Sequence, residues 1–243
     1  MRDLTWIIPY YRNAPMLQRH LEHYKLYTPE TLKRLSWIFV DDGSPKMDRP
    51  DDILRAIPGH MKKRIRLLRV EVDIPWNQHG ARNLGAQEAS TEWLFMTDID
   101  RCLMAFDAKQ ILRRKLDTGR YYKPVSFVPN MNFPTSFAKQ PTNQFLITRK
   151  AYWWAGGYDE DYCGSYGGDV SYLKIVERKF PLDIMPDVRL IRYDSEILPG
   201  ATTTSYSRPE YQSIFEERKR KKREAGDTKP KNPIRFPWHE VRL

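Results

Sequence analysis

Long apolar runs, a cysteine framework and internal repeats are all missing from this sequence of 243 residues. No segment offers the roughly 20 consecutive apolar residues that cross a bilayer. Met1-Arg2-Asp3-Leu4 has none of the charged-then-apolar layout of a secretion signal. The two cysteines, Cys102 and Cys163, are too few for a disulfide scaffold or a cysteine-based zinc site. These absences argue against membrane-spanning and disulfide-rich secreted classes. The expectation is a cytoplasmic protein with reduced thiols.

What is present is enough to build a substantial core, with 40% hydrophobic and 13% aromatic residues. The formal charge is +10, and six of those charges form one block from Arg218 to Arg223. The body is therefore only mildly basic, and any argument about anionic partners rests on that block. From about Arg208 the composition shifts to charge and proline. The expected division is a main domain over 1–207, with halves of about 1–100 and 101–207, and a basic helix or tail over 208–243.

Short β-like runs alternate with helical ones. Leu4 to Ile8, Trp37 to Val40, Ile65 to Val70 and Trp93 to Met96 read as buried strands, and helices are expected from about Met16 to Leu26 and from Gly80 onward. Further on, Gln144 to Thr148 reads as a strand, Lys150 to Trp154 and Val170 to Arg178 as helices, and Val188 to Ile191 as a strand. Strand and helix in alternation predict an α/β fold, a mostly parallel sheet flanked by helices. In such sheets ligands bind beyond the carboxyl ends of the strands. Three polar clusters fall there: Pro9-Tyr10-Tyr11-Arg12-Asn13, Asp41-Asp42-Gly43-Ser44 and Asp98-Ile99-Asp100.

Asp98 and Asp100 flank one apolar residue at the end of a buried strand. Two carboxylates so placed can share a hard divalent cation, Mn²⁺ or Mg²⁺, and join it to a diphosphate. The Asp41-Asp42 turn has two readings, a cap for the next helix or a carboxylate that accepts from a uracil imide or ribose hydroxyls. Arg82, at a helix start, either meets a nucleotide or is a solvated charge, with Gly85 present for close packing. Tyr152-Trp153-Trp154 offers aromatic faces that can stack on sugar rings, although most aromatics are core.

These motifs, in this order, look like a GT-A-fold (Rossmann-like) glycosyltransferase of the family 2 type. Ile8-Pro9-Tyr10-Tyr11-Arg12, Val40 to Ser44, Gly80-Ala81-Arg82-Asn83-Leu84-Gly85 and Asp98-Ile99-Asp100 carry the resemblance. Gly156-Gly157-Tyr158-Asp159-Glu160 is similar to the family's Gly-Gly-Phe-Asp-Glu motif. Tyr166-Gly167-Gly168-Asp169 resembles the Trp-Gly-Gly-Glu-Asp stretch of the galactosyl- and N-acetylgalactosaminyltransferase branch. The resemblance covers about residues 4 to 195.

It implies a nucleotide-sugar donor, bound by Pro9, Tyr11, Arg12, Asp41, Asp42, Arg82 and Asp98, with a metal on Asp98 and Asp100. It implies Asp169 as the general base of an inverting transfer, against the bland reading of Asp169 as a helix N-cap. Trp154, Gly157, Tyr158 and Asp159 would face the acceptor. The related branch adds a histidine metal ligand that is missing from Ile191-Arg192-Tyr193-Asp194-Ser195, where either Asp194 as an oxygen ligand or water would take its place.

The expected function is metal-dependent transfer from a UDP-sugar to a hydroxyl of a glycan or lipid-linked glycan. The Arg218 to Arg223 block would then meet an anionic membrane surface, with the protein peripheral there. One alternative keeps the transfer but makes a hydroxylated base of DNA the acceptor, with the same block on its phosphates. Another is a sugar nucleotidyltransferase, which needs a glycine-rich phosphate loop after the first strand. Ile8 to Asn13 has no glycine.

Overall fold

In a computed structural model, the structure describes residues 4–128, 142–201, 208–227, 229–230 and 233–243. The first half runs β1 (Leu4–Tyr10), α1 (Ala14–Lys25), α2 (Pro29–Arg34), β2 (Leu35–Asp42), α3 (Asp51–Arg55), α4 (Gly59–Lys62), β3 (Ile65–Val70), α5 (Gln78–Glu88) and β4 (Trp93–Met96). The second half runs β5 (Arg101–Leu103), α6 (Ala105–Arg113), β6 (Tyr121–Phe127), β7 (Phe145–Thr148), α7 (Arg149–Trp154), α8 (Asp169–Val176), β8 (Leu182–Arg192), α9 (Arg208–Glu224) and β9 (Trp238–Val241). Among the described residues no helix is long and apolar enough to cross a membrane.

The strands form one sheet in the order β5-β8-β6-β7-β4-β1-β2-β3-β9. β1 pairs in parallel with both β2 and β4, so the strand order reverses beside it. A crevice opens at such a reversal, beyond the carboxyl ends of the strands. Pro9 is tolerated inside β1 for a geometric reason. The Ile7 carbonyl accepts from Thr97 on the β4 side, and the same side two residues later lies past the last β4 pair, Ile7 with Met96. The missing N–H of Pro9 therefore costs no ladder bond.

Alternation along the central strands feeds two apolar layers. Trp6, Ile8, Trp37, Phe39, Trp93 and Phe95 pack on one face with Leu17, Leu21 and Tyr24 of α1. Ile7, Ile38, Val40, Leu94 and Met96 fill the other, against Ala81 and Leu84 of α5 and Tyr172 and Leu173 of α8. Each fully buried tryptophan contributes roughly 3 kcal/mol or more, which makes this centre rigid. Gly85 is required where α5 crosses β1, since a Cβ there would collide with Ile7 Cγ2.

The C-terminal region contains a basic helix, α9, as expected, followed by an unexpected strand, β9. The proposed boundary at residue 207 lies outside the described residues, but the segment beyond it is tied into the body. β9 adds an antiparallel strand to the β3 edge, pairing Trp238 with Val70 and Val241 with Leu67. α9 buries Phe215 against Tyr162. Arg218 donates to the Asp161 and Cys163 carbonyls, and Lys222 lies 2.6 Å from Asp159 and 2.8 Å from Asp161. Lys219, Arg220 and Lys221 pair with Glu216, Glu224 and Glu217 along the helix. The basic block is thus a strut with internal partners, not a bare cationic surface.

Candidate active site

The carboxyl ends of β1, β2 and β4 border a cavity of about 390 Å³, lined in part by Pro9, Tyr11, Asp42, Arg82, Asp98, Asp100 and Asp169. Pro9, Tyr11, Asp42, Asp98 and Asp100 sit at or just beyond strand ends, whereas α5 carries Arg82 and α8 carries Asp169.

Arg82 is fully buried under the floor of this cavity. Its guanidinium pairs with Asp98 and donates to Gln78 Oε1 at 2.8 Å, one helical turn back along α5. A buried guanidinium without a carboxylate would be prohibitive, so Asp98 and Arg82 fix one another. The second Asp98 oxygen accepts from Gln144 at 3.4 Å and remains open to the cleft. Asp100 lies 3.3 Å from Arg101 Nε and 4.0 Å from Arg192 Nε. Burial pushes its carboxyl up to about 6, with the charge of Asp98 adding to the rise and Arg101 opposing it.

Asp100 Oδ1 is buried and accepts no hydrogen bond. That oxygen has only the Arg101 charge at 3.3 Å, and with Asp98 beside it the two acids form a donor set that fits a hard divalent cation, the remaining positions falling to ligand or water oxygens. Among the described residues no cluster of three acidic, histidine or cysteine side chains exists that would hold a metal alone. Asp194, expected as a third ligand, is not part of the cavity lining. Its carboxylate accepts from the amides of Glu196 and Ile197 at 3.2 and 3.1 Å and so caps a turn. This corrects the substitution inferred from the missing histidine.

The two acids of the Asp41-Asp42 turn separate. Asp41 is buried away from the cavity, holding Arg69 at 2.8 Å and the Ser44 amide at 3.1 Å. It is a structural ion pair and turn anchor, so the expected nucleoside contact from Asp41 is withdrawn. Asp42 does line the cavity and accepts from Asn77 Nδ2 at 2.7 Å. Burial pushes its carboxyl up to about 7, and Asp41 and Asp73 add to the rise. Arg12 also turns away from the lining. It adopts a positive φ of 49°, pairs with Asp48 at 3.0 Å and does not border the cavity.

Asp169 sits in the first turn of α8, but it is not the cap. Gly168 is the capping residue, in a left-handed conformation with φ 90°, where a side chain would be strained and would meet His79. The Asp169 carboxylate is thereby released toward the cavity. There it meets His79 Nε2 at 3.2 Å, Asn143 Nδ2 at 3.1 Å and Gln78 Nε2 at 3.4 Å. Burial pushes its carboxyl up, but His79, the charge of Arg82 and the Asn143 amide outweigh it and hold the group below the usual carboxylate range. His79 is itself held by stacking on Tyr158 at 5.2 Å.

The expected acceptor residues are elsewhere. Trp154 is 47% exposed and packs on Phe180 and Lys179, outside the lining. Tyr158 is buried between His79 and Tyr172. Gly157 approaches Asn83 closely, and Asp159 binds Lys222 of α9. Gly-Gly-Tyr-Asp-Glu is therefore scaffold beneath the site. Asn83 holds it, bonding the Tyr158 amide and carbonyl at 2.8 Å each and Glu160 at 2.9 Å. Asp169, Gln78, Asn143, Tyr166, Arg192 and Arg208 face the cavity instead. The α5 spacing of Gln78 and Arg82 is readable in sequence. The pairing of His79 with Asp169 spans ninety positions and leaves no local signal.

With this geometry in place, comparison with known proteins decides the family, since the model of glycosyl transferase family 2 matches residues 5–163. The chain belongs to that family. No curated protein matches in a sequence search. Among solved structures, the mannosyltransferase PcManGT from Pyrobaculum calidifontis, in complex with GDP-Man and Mn²⁺, is similar at TM-score 0.60 and 17% identity, over 79% of this chain and 57% of that one. S. aureus TarS 1-349 in complex with UDP-GlcNAc gives 0.67 and 11%, over 89% and 65%. GalNAc-T7 with UDP, GalNAc and Mn²⁺ gives 0.60 and 17%, over 79% and 44%. The chain thus spans less than two thirds of each of these proteins, and at such identities the likeness is one of fold. The family 2 match sets aside the nucleotidyltransferase alternative.

Proposed function

We propose that this family 2 domain transfers a sugar from a nucleotide-sugar, with UDP as the expected nucleotide, to an acceptor hydroxyl with inversion. The observation that carries this reading is Asp169, a carboxylate held ionised by His79 and Asn143 in the same cleft as Asp98 and Asp100. An ionised acid facing a cavity can take the proton of an acceptor hydroxyl as that oxygen attacks the anomeric carbon. The bond from that carbon to the diphosphate then breaks, its electrons leave on the phosphate oxygen, and the proton stays on Asp169. Asp42 and Tyr11, which also border the cavity, are placed to orient the nucleoside.

Asp98 and Asp100 would hold Mn²⁺ or Mg²⁺, which when bound supplies positive charge to the departing nucleoside diphosphate. Arg82 pairs with Asp98 and aims it, and Arg101 lies against Asp100. A glycan or lipid-linked glycan is the favoured acceptor, met at a cytoplasmic surface. The DNA reading loses support, because Arg218 and Lys222 turn inward and three neighbours pair along α9.

Nucleoside diphosphate release from a panel of nucleotide-sugars with Mn²⁺ tests the reading. Asp98→Asn and Asp100→Asn should each lower release by at least a hundredfold and weaken Mn²⁺ binding measured separately by calorimetry. Unchanged release and unchanged Mn²⁺ affinity would remove the metal assignment.

A further inference from the structure

The cleft contains more arginine than its own acids use. Arg82 is committed to Asp98, and Arg101 lies against Asp100 and donates to Ser126 Oγ at 2.5 Å. Arg208, the first residue of α9, also borders the cavity, yet among the described residues it makes no ion pair. Its guanidinium lies over the Tyr166 ring at 5.4 Å. Tyr166 in turn meets Trp76 edge to face at 4.7 Å, and all three line the cavity.

This wall is built, not incidental. The Tyr166 amide donates to the Tyr211 carbonyl at 3.0 Å, joining the glycine-rich loop to α9 beside Arg208. Phe215, Arg218 and Lys222 anchor the helix further along. Trp76 holds a positive φ of 54°, an unfavourable state for a bulky residue, and strain of this kind gathers at ligand sites. Tyr166 stands three positions before Asp169, so the wall adjoins the base.

A guanidinium set over an aromatic ring makes a cation–π contact that leaves N–H groups available to a ligand. Those donors match two oxygens of a carboxylate or phosphate in one plane. The adjoining aromatic faces suit the apolar side of a sugar ring.

We infer that the acceptor is an anionic glycan, whose ring rests on Trp76 and Tyr166 and whose carboxylate or phosphate is bound by Arg208. The inference rests on the sugar-transfer reading for the word acceptor, but the binding it describes does not require turnover. Neutral glycans lose the pairing with Arg208 and bind more weakly.

Ligand-observed NMR titration of the intact protein tests this with methyl glucuronide, glucose 6-phosphate and neutral methyl glucoside, each with and without saturating UDP and Mn²⁺. Both UDP-bound and free protein should bind at least one anionic probe about tenfold more tightly than the neutral one, and the better of the two identifies carboxylate or phosphate. Arg208→Gln should abolish that preference and Arg208→Lys should retain part of it, with melting temperatures confirming that both fold. UDP affinity should stay within twofold in both. Equal binding of all three probes, or a preference that survives Arg208→Gln, overturns the inference. Anionic probes displaced by UDP, or UDP affinity lost with Arg208, overturn it by assigning the arginine to the donor diphosphate. Failure of the sugar-transfer reading would be seen separately, as absence of UDP-sugar binding with these probe preferences intact.

Discussion

Asp169 depends for its charge on a residue it does not neighbour in sequence. Burial alone would favour its neutral form, and His79 and Arg82 reverse that balance. Removing the imidazole therefore raises the carboxyl's pKa, so that protonation begins at a higher pH. In His79→Ala, the acidic limb of the kcat/KM profile should move up by about one pH unit. The loss should approach tenfold only in acid, near pH 4 and below, and rates from about pH 6 upward should change little. A loss equal at every pH would show that His79 only packs the site, and the limb position decides between the two. At this scale the sequence is legible where chemistry is local. Asp98, Asp100, Asp42, Arg82 and Asp169 are expected at the site from their motifs, and they line the cavity together. Asp41, Arg12 and Asp194 depart from expectation because a carboxylate or guanidinium beside the right strand can turn aside to a partner, and Arg69, Asp48 and two turn amides supply those partners.

Among the elements, α5 does the most to place the site. It carries Gln78, His79 and Arg82 toward the cleft and Asn83 toward the Gly-Gly-Tyr-Asp-Glu segment. Asn83→Ala would leave the Tyr158 amide and carbonyl and the Tyr152 hydroxyl without this shared partner. A loss of about 3 kcal/mol is expected, which lowers the melting temperature by roughly 6–12 °C in a chain of this length. Calorimetry checks it, and a shift below about 2 °C would show that the segment is held by other contacts. The strands β1 to β4 are readable from their dense apolar runs and the turn residues that end them. β6 is not, because Pro124 interrupts Tyr121–Phe127 at the register shift in its pairing with β8. β9 is hidden for another reason: Trp238–Val241 is short and mostly exposed, and only the unpaired edge of β3 makes it a strand.

For the whole molecule, the main revision concerns the region after residue 207, which composition alone presents as a basic tail. Charge blocks signal solvation only when nothing charged awaits them, and here Asp159, Asp161 and two carbonyls receive Arg218 and Lys222. Buried Glu160 likewise accepts the Ile234 and Arg235 amides at 2.6 and 3.0 Å. Deleting 208–243 should therefore not yield a stable catalytic core. It bares the β3 edge and leaves the buried Glu160 carboxylate without two of its three hydrogen-bond partners, so aggregation on size-exclusion chromatography is expected. A monomeric truncated protein with a cooperative melt would restore the tail reading. The β3–β9 pairing also sets a timetable for synthesis. Val70 leaves the ribosome long before Trp238, which closes its edge. At translation speeds of about 5–20 residues per second, that interval is roughly ten to thirty seconds. Throughout it the nascent sheet carries an open margin, and a holding chaperone that covers it is expected to raise the folded yield.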